Sequence, residues 1–307
     1  MNVYLRLCRF PTVFTAISNT LAGFLIANGG LVPLTDLLLI LGSTIGIYLA
    51  GMVFNDIFDI EQDREERPSR PIPSGAISPQ AALRFGAILM GIGLLCAAIA
   101  GLPTLVLAIA LAASVLAYDR YMKRTALGPV FMGLCRTINL LMAGSSAVDS
   151  VQGVFQQPLL WYAGAIGVYI VGVTLFAKRE AAENSRGPLA LSLAVIDAGL
   201  CAIAFWIGRF ASSFGIDLPV AGDTDRVSIL FVWGVIFLTI NRRVMRAISF
   251  PSPKTIQPAV GVLLLSLIVI DGMVIFGFLG SAALPYSLTI LALLIPAVVV
   301  RRWIPMT

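Results

Sequence analysis

Residues 34–63 read LTDLLLILGSTIGIYLAGMVFNDIFDIEQD, and the change of character inside this run decides the fold. From Leu37 to Phe54 no residue is charged. A helix of roughly 20 such residues, rising 1.5 Å per residue, crosses the ~30 Å hydrocarbon core of a bilayer. At Asn55 the run turns abruptly polar, and four acidic residues (Asp56, Asp59, Glu61 and Asp63) follow within nine positions. The stretch therefore reads as a membrane span that ends in an acidic mouth.

The rest of the chain repeats the apolar part of this pattern. Its 307 residues are 58% hydrophobic and only 12% charged, about half the ~25% of a typical soluble domain. Its mean hydropathy is +0.93. A water-soluble fold of this length needs more polar surface than that. Only helices and closed barrels satisfy their backbone in lipid, and barrel strands alternate where these runs are continuous. The fold class is all-α, a polytopic transmembrane helical bundle of about nine (eight to ten) helices in a single domain over 1–307. Candidate spans lie near residues 11–30, 34–55, 81–101, 103–118, 127–147, 159–178, 188–208, 227–241, 259–280 and 284–300. The first lacks a small-residue cleavage site and reads as a retained helix. A weak pseudo-repeat of four-helix halves, about 1–125 and 126–250, precedes the C-terminal helices.

Charge orients the bundle. Of the 21 Lys and Arg, all but Arg136, Arg209 and Arg226 fall before the first span, after the last, or in alternate loops. The positive-inside rule makes that side, with both termini, cytoplasmic. The same rule accounts for the net charge of +5 without a nucleic acid partner. The expected location is the plasma membrane of a prokaryote, with the polar motifs at its cytoplasmic face. The four cysteines form no CxxC pair and suggest neither zinc nor disulfides. Histidine is absent, so no imidazole serves as base or ligand.

Asp56, Asp59 and Asp63 stand at i, i+3 and i+7, within about 60° of one helix face. Carboxylates so placed repel one another unless a cation joins them, and hard oxygen ligands of this kind suit Mg²⁺ with substrate phosphates. A solvated acidic helix end is the bland alternative. Next comes RPSRPIPSG at 67–75, whose prolines and glycine stop the helix. It sets Arg67 and Arg70, potential phosphate ligands, beside the acidic face.

This combination, N-D-x-x-D-x-x-x-D followed by R-P-x-R-P-x-P-S-G, resembles the signature of the UbiA superfamily of intramembrane prenyltransferases. Asn55, Asp56, Asp59 and Asp63 match it, as do Arg67, Pro68, Arg70, Pro71, Pro73, Ser74 and Gly75. The resemblance implies helices around a central cavity, Mg²⁺ as cofactor, a prenyl diphosphate donor and a lipophilic, commonly aromatic, acceptor. The implied reaction transfers an alkyl or aryl group other than methyl. Asp56, Asp59, Asp63 and Lys123 are the catalytic candidates it carries over, the three aspartates also being metal ligands. Asn55, Arg67, Arg70, Asp119, Arg136, Asn139 and Lys178 are candidates for substrate binding.

The remaining motifs fit less closely. YDRYMKR at 118–124 is similar to the family's basic motif, with Asp119 in the tyrosine position; Asp119 and Lys123 are spaced i, i+4 for a pair. Arg136 and Asn139 share a face of an apolar helix, which directs them to a cavity or to interhelical hydrogen bonds. The second acidic motif departs from the family: AKREAAENSRG at 177–187 offers Glu180 and Glu183 where aspartates are usual. Longer carboxylates can still ligate Mg²⁺; alternatively Lys178 or Arg179 supplies part of the neutralisation. Asp197 and Asp271, inside apolar segments, line the acceptor cavity or pack as hydrogen-bonded groups. A CDP-alcohol phosphotransferase lacks support because its D-G-x-x-A-R pattern is missing. A non-enzymatic isoprenoid transporter or scaffold of the same family remains the competing reading.

Overall fold

The computed structural model describes residues 3–155, 158–178, 186–210 and 223–301. These residues form helices and no strand. In chain order they are α1 (Val3–Leu7), α2 (Val13–Asn28), α3 (Leu34–Phe58), α4 (Ile60–Glu66), α5 (Pro79–Ala100), α6 (Leu102–Arg120) and α7 (Gly128–Ala143). Then follow α8 (Val151–Val154), α9 (Leu159–Ala177), α10 (Arg186–Phe210), α11 (Asp223–Ser249), α12 (Pro253–Leu279), α13 (Leu284–Ala292) and α14 (Leu294–Arg301). Their starts and stops follow local chemistry. Proline stands in the first turn of α5, α6, α7, α12 and α13, where its missing N–H costs nothing. Gly29 closes α2 in the left-handed conformation that glycine adopts freely.

Among the described residues, nine helices are long and apolar enough to cross a membrane. Helix α11 has the same length as α12, but its last third carries Arg242, Arg243 and Arg246. It runs antiparallel to α10: Arg186 donates to the Ser249 carbonyl (3.4 Å) and Asn241 to Asp197 (2.8 Å). The count of about nine, up to ten, thus agrees with the structure.

Lipid cannot supply a hydrophobic drive between helices, so close packing and hydrogen bonds hold them. Helices α3 and α5 touch backbone to backbone: a Cβ on Gly46 would lie 2.7 Å from the Leu89 carbonyl. Helices α7 and α9 meet the same way at Gly133 and Gly167. The outer surface is apolar, with Ile88, Ile92, Leu95 and Ile99 of α5 all exposed on one stripe. This is the distribution a multi-pass membrane protein requires.

The first and last described segments meet on one face. Helix α14 packs against the short turn Phe10–Thr12, and Arg301 lies over Gly261 near the start of α12. The acidic segment, the proline loop and the basic turn after α6 gather on that face as well, as the ion pairs below require.

Candidate functional site

The acidic segment is not one continuous helix. Helix α3 ends at Phe58, and Asp59 has φ −98° and ψ 8° before α4 resumes. The expected single stripe of three carboxylates is therefore split. Asp56 and Asp63, both buried, face Arg70: its Nη1 lies 2.5 Å from Asp63 Oδ2 and 3.4 Å from Asp56 Oδ1. Asp59, turned by the break, pairs instead with Lys123 Nζ at 2.6 Å and with Arg124 at 3.6 Å.

Arg70 is set by its loop. Ile72 is buried beneath it in a small core with Leu7, Cys8, Val53 and Ile77. The Ser74 N–H bonds the Arg70 carbonyl, and Arg6 donates to the Ser69 carbonyl. Burial and the neighbouring Arg9 lower the pKa of the Arg70 guanidinium, while Asp56 and Asp63 raise it. The same burial, reinforced by Asp56, pushes the Cys8 thiol up to about 12.

The sequence did not single out Arg9, yet it makes the closest contact to Asp56, 2.7 Å. Arg9 adopts a left-handed backbone, φ 44°, unusual for a residue with a side chain. Its only sequence signal is an arginine two positions before Pro11, at the head of the first span.

Lys123 departs from expectation in its partner. Helix α6 ends at Arg120, and Tyr121 (φ −127°) turns the chain into a short 3-10 segment, Met122–Arg124. Lys123 thereby leaves the face that carries Asp119 and crosses to Asp59. Asp119 accepts from Asn55 Nδ2 at 2.9 Å instead.

Behind this mouth opens a cavity of about 520 Å³. Asn55, Asp59, Arg67, Asp119, Lys123 and Lys178 line its polar end. Leu111, Val115, Ile170, Val173, Val260 and Leu264 line its apolar walls. Arg136 and Asn139 also line it, and both are hydrogen-bonded. Asn139 closes a buried ring with Thr20 and Thr44. Lys178 donates to the Thr125 carbonyl at 2.6 Å. Asp271 is fully buried and does not line the cavity, and half-buried Asp197 bonds Asn241 away from it. Glu180 and Glu183, with Arg179, lie outside the described residues.

The donor set suits Mg²⁺: hard carboxylate oxygens beside cations that can take up phosphate. Among the described residues no three potential ligands converge on one point: Asp56 and Asp63 meet at Arg70, while Asp59 turns to Lys123. Asp56 and Asp63 are buried and Asp59 is part-buried, all three are balanced by cations, and Asp59 lines the cavity, which fits a metal arriving together with an anionic substrate.

The site and fold together define an all-helical membrane bundle with an acidic and basic mouth over an apolar cavity. The UbiA prenyltransferase family matches residues 16–247, and the chain belongs to that family. The digeranylgeranylglyceryl phosphate synthase of Metallosphaera sedula is 30% identical over 147 residues, 48% of this chain and 52% of that protein. The chain thus spans about half the length of this and several other curated relatives. The synthase of the same name from Methanoculleus marisnigri is 30% identical over 261 residues, 84% of this chain and 90% of that one. A UbiA homologue from Aeropyrum pernix, in its apo structure, has a TM-score of 0.67 at 18% identity, covering 86% of this chain and 96% of that one. A homologue from Archaeoglobus fulgidus bound to GPP and Mg2+ has a TM-score of 0.63 at 14% identity, covering 95% and 100%. At these identities the structural likeness speaks to the fold.

Proposed function

We propose that the protein transfers a prenyl group from a prenyl diphosphate to a lipophilic acceptor inside the membrane. The observation that carries this reading is the union, in one cavity, of a charged mouth and an apolar interior. Prenyl diphosphates have the same division, a dianionic or trianionic head on a hydrocarbon tail.

Asp56, Asp59 and Asp63, with Glu180 and Glu183, are the residues that would hold Mg²⁺. When bound, the ion supplies charge neutralisation to the diphosphate. The chain's own cations do the rest. Lys123, Arg67 and Arg70 neutralise the leaving pyrophosphate, with Lys178 beside them. Stabilising charge as it develops is usually the largest single catalytic contribution. The C1–O bond breaks, pyrophosphate departs with the electron pair, and the allylic C1 becomes electron-poor. Apolar walls keep water from C1. An acceptor oxygen or ring carbon attacks C1, and its proton passes to the released pyrophosphate or to Asp59, the carboxylate of the motif that lines the cavity.

The relatives' name denotes a glyceryl phosphate carrying two geranylgeranyl groups. That supports a hydroxyl-bearing glyceryl phosphate lipid as acceptor, with an aromatic ring as the second reading. The test incubates purified protein with radiolabelled geranylgeranyl diphosphate, Mg²⁺ and each acceptor type. A prenylated product from the glyceryl phosphate lipid supports the first reading, and one from the aromatic acceptor the second. A protein that only carries isoprenoids yields neither and tolerates Asp56→Ala.

A further inference from the structure

Arg136 is a buried cation that the diphosphate chemistry does not use. It lies eight residues, ~12 Å, into α7 from Gly128, on the interior half of the cavity wall. An arginine stays protonated in proteins. Among the described residues no carboxylate comes within ion-pair distance of it. Removing such a charge from water costs several kcal/mol unless a counter-charge meets it.

Its position is nevertheless tightly fixed. Nη1 donates to Asn19 Oδ1 (3.2 Å) and Nη2 to Thr15 Oγ1 (2.9 Å), and the guanidinium stands 5.4 Å over the Tyr48 ring. Asn19 is fixed in turn. Its Nδ2 donates to both carboxylate oxygens of Asp271, at 3.0 and 2.8 Å. Ser18 and Tyr162 donate to the same carboxylate. With its amide nitrogen committed to Asp271, Asn19 can present only its oxygen to Arg136. Asp271 sits on α12, beyond residues 16–247 where the family resemblance runs.

Two of five guanidinium N–H groups are thereby used, and the side chain borders open cavity. A bare cation here opposes positive charge developing on a nearby allylic carbon. An anion bound to the guanidinium removes that opposition and satisfies the remaining donors. We infer that Arg136 binds an oxyanion carried by the acceptor, a phosphate or a carboxylate, and that Asp271, acting through Asn19, is the positioning residue that aims it. This rests on the transfer reading above and names the acceptor's recognised group.

The test measures thermal unfolding of the detergent-purified protein with four probes. They are hexadecylglycerol phosphate, uncharged hexadecylglycerol, 4-dodecylbenzoate, and geranyl diphosphate with Mg²⁺. At least one of the two charged amphiphiles should stabilise the wild type where the uncharged one does not, and which one does so separates the two oxyanions. Arg136→Gln should weaken that response roughly tenfold to a hundredfold, the value of a charge-assisted hydrogen bond. Asp271→Asn should weaken it in the same direction by less. Both variants should keep the geranyl diphosphate response. Should Arg136→Gln fail to fold, Arg136→Lys keeps the charge, loses the fork, and should show the same selective loss. Equal responses in wild type and variants, or no response to either charged amphiphile, overturn the inference. A missing response to geranyl diphosphate in the wild type counts instead against the transfer reading.

Discussion

Replacing Arg70 with methionine should destabilise the acidic mouth. Arg70 is the side-chain partner of Asp63, which is only 3% exposed, and it shares Asp56 with Arg9. Removing the guanidinium leaves Asp63 buried and unpaired, while Asp56 keeps its 2.7 Å contact to Arg9. Breaking one side of a buried pair costs ~3–5 kcal/mol, mostly from the stranded charge. At about 2 °C per kcal/mol, suited to a larger chain, the melting temperature should fall by roughly 6–10 °C. Asp63→Asn removes the stranded charge, so the double variant should recover most of that loss. The assay is thermal unfolding of the four proteins of this cycle in one detergent, without Mg²⁺ or diphosphate. Additive losses, with the double variant no more stable than the single effects sum to, would refute the pairing of Arg70 with Asp63 as the source of the cost.

Lys123→Ala should lower turnover by about 10²–10³-fold, the usual effect of losing one group that stabilises developing charge; steady-state kinetics of pyrophosphate release would check this. Gly46→Leu should prevent folding, because even a Cβ there would lie 2.7 Å from the Leu89 carbonyl of α5. Gly164→Leu, with open space around it, should be tolerated, and the yield of monodisperse protein compares the two. Cys8, with its pKa raised to about 12 by burial and by Asp56, stays a thiol at neutral pH. Maleimide labelling followed by mass spectrometry at pH 7.5 should leave Cys8 unmodified in the folded protein and modify it on unfolding.

The spans were legible because lipid leaves an apolar run no alternative to a helix. Boundaries were less so where a helix outlasts its apolar stretch. The apolar run near 227–241 becomes α11, Asp223–Ser249, since Arg242, Arg243 and Arg246 continue the helix past the hydrophobic signal. In the site, the motif residues were visible because they are local in sequence. Arg70 was legible beside the acidic face because it is only seven positions from Asp63, whereas the distant partners were not: Arg9 and Asp56 are 47 positions apart, and Asn55 and Asp119 are 64. The i, i+4 spacing of Asp119 and Lys123 misled because α6 stops between them. The break at Asp59 carries no proline or glycine to announce it. Arg136 announced itself as a charge in an apolar helix, whereas its tie to Asp271 spans α2, α7 and α12.

The measurement that bears most directly on the account is equilibrium binding of radiolabelled geranylgeranyl diphosphate to the purified protein, with Mg²⁺ or EDTA, in wild type and Asp56→Ala. The account predicts saturable binding that needs Mg²⁺ and is lost in the variant. Binding that ignores both EDTA and the loss of Asp56, or no binding at all, would contradict a diphosphate site built on the acidic mouth.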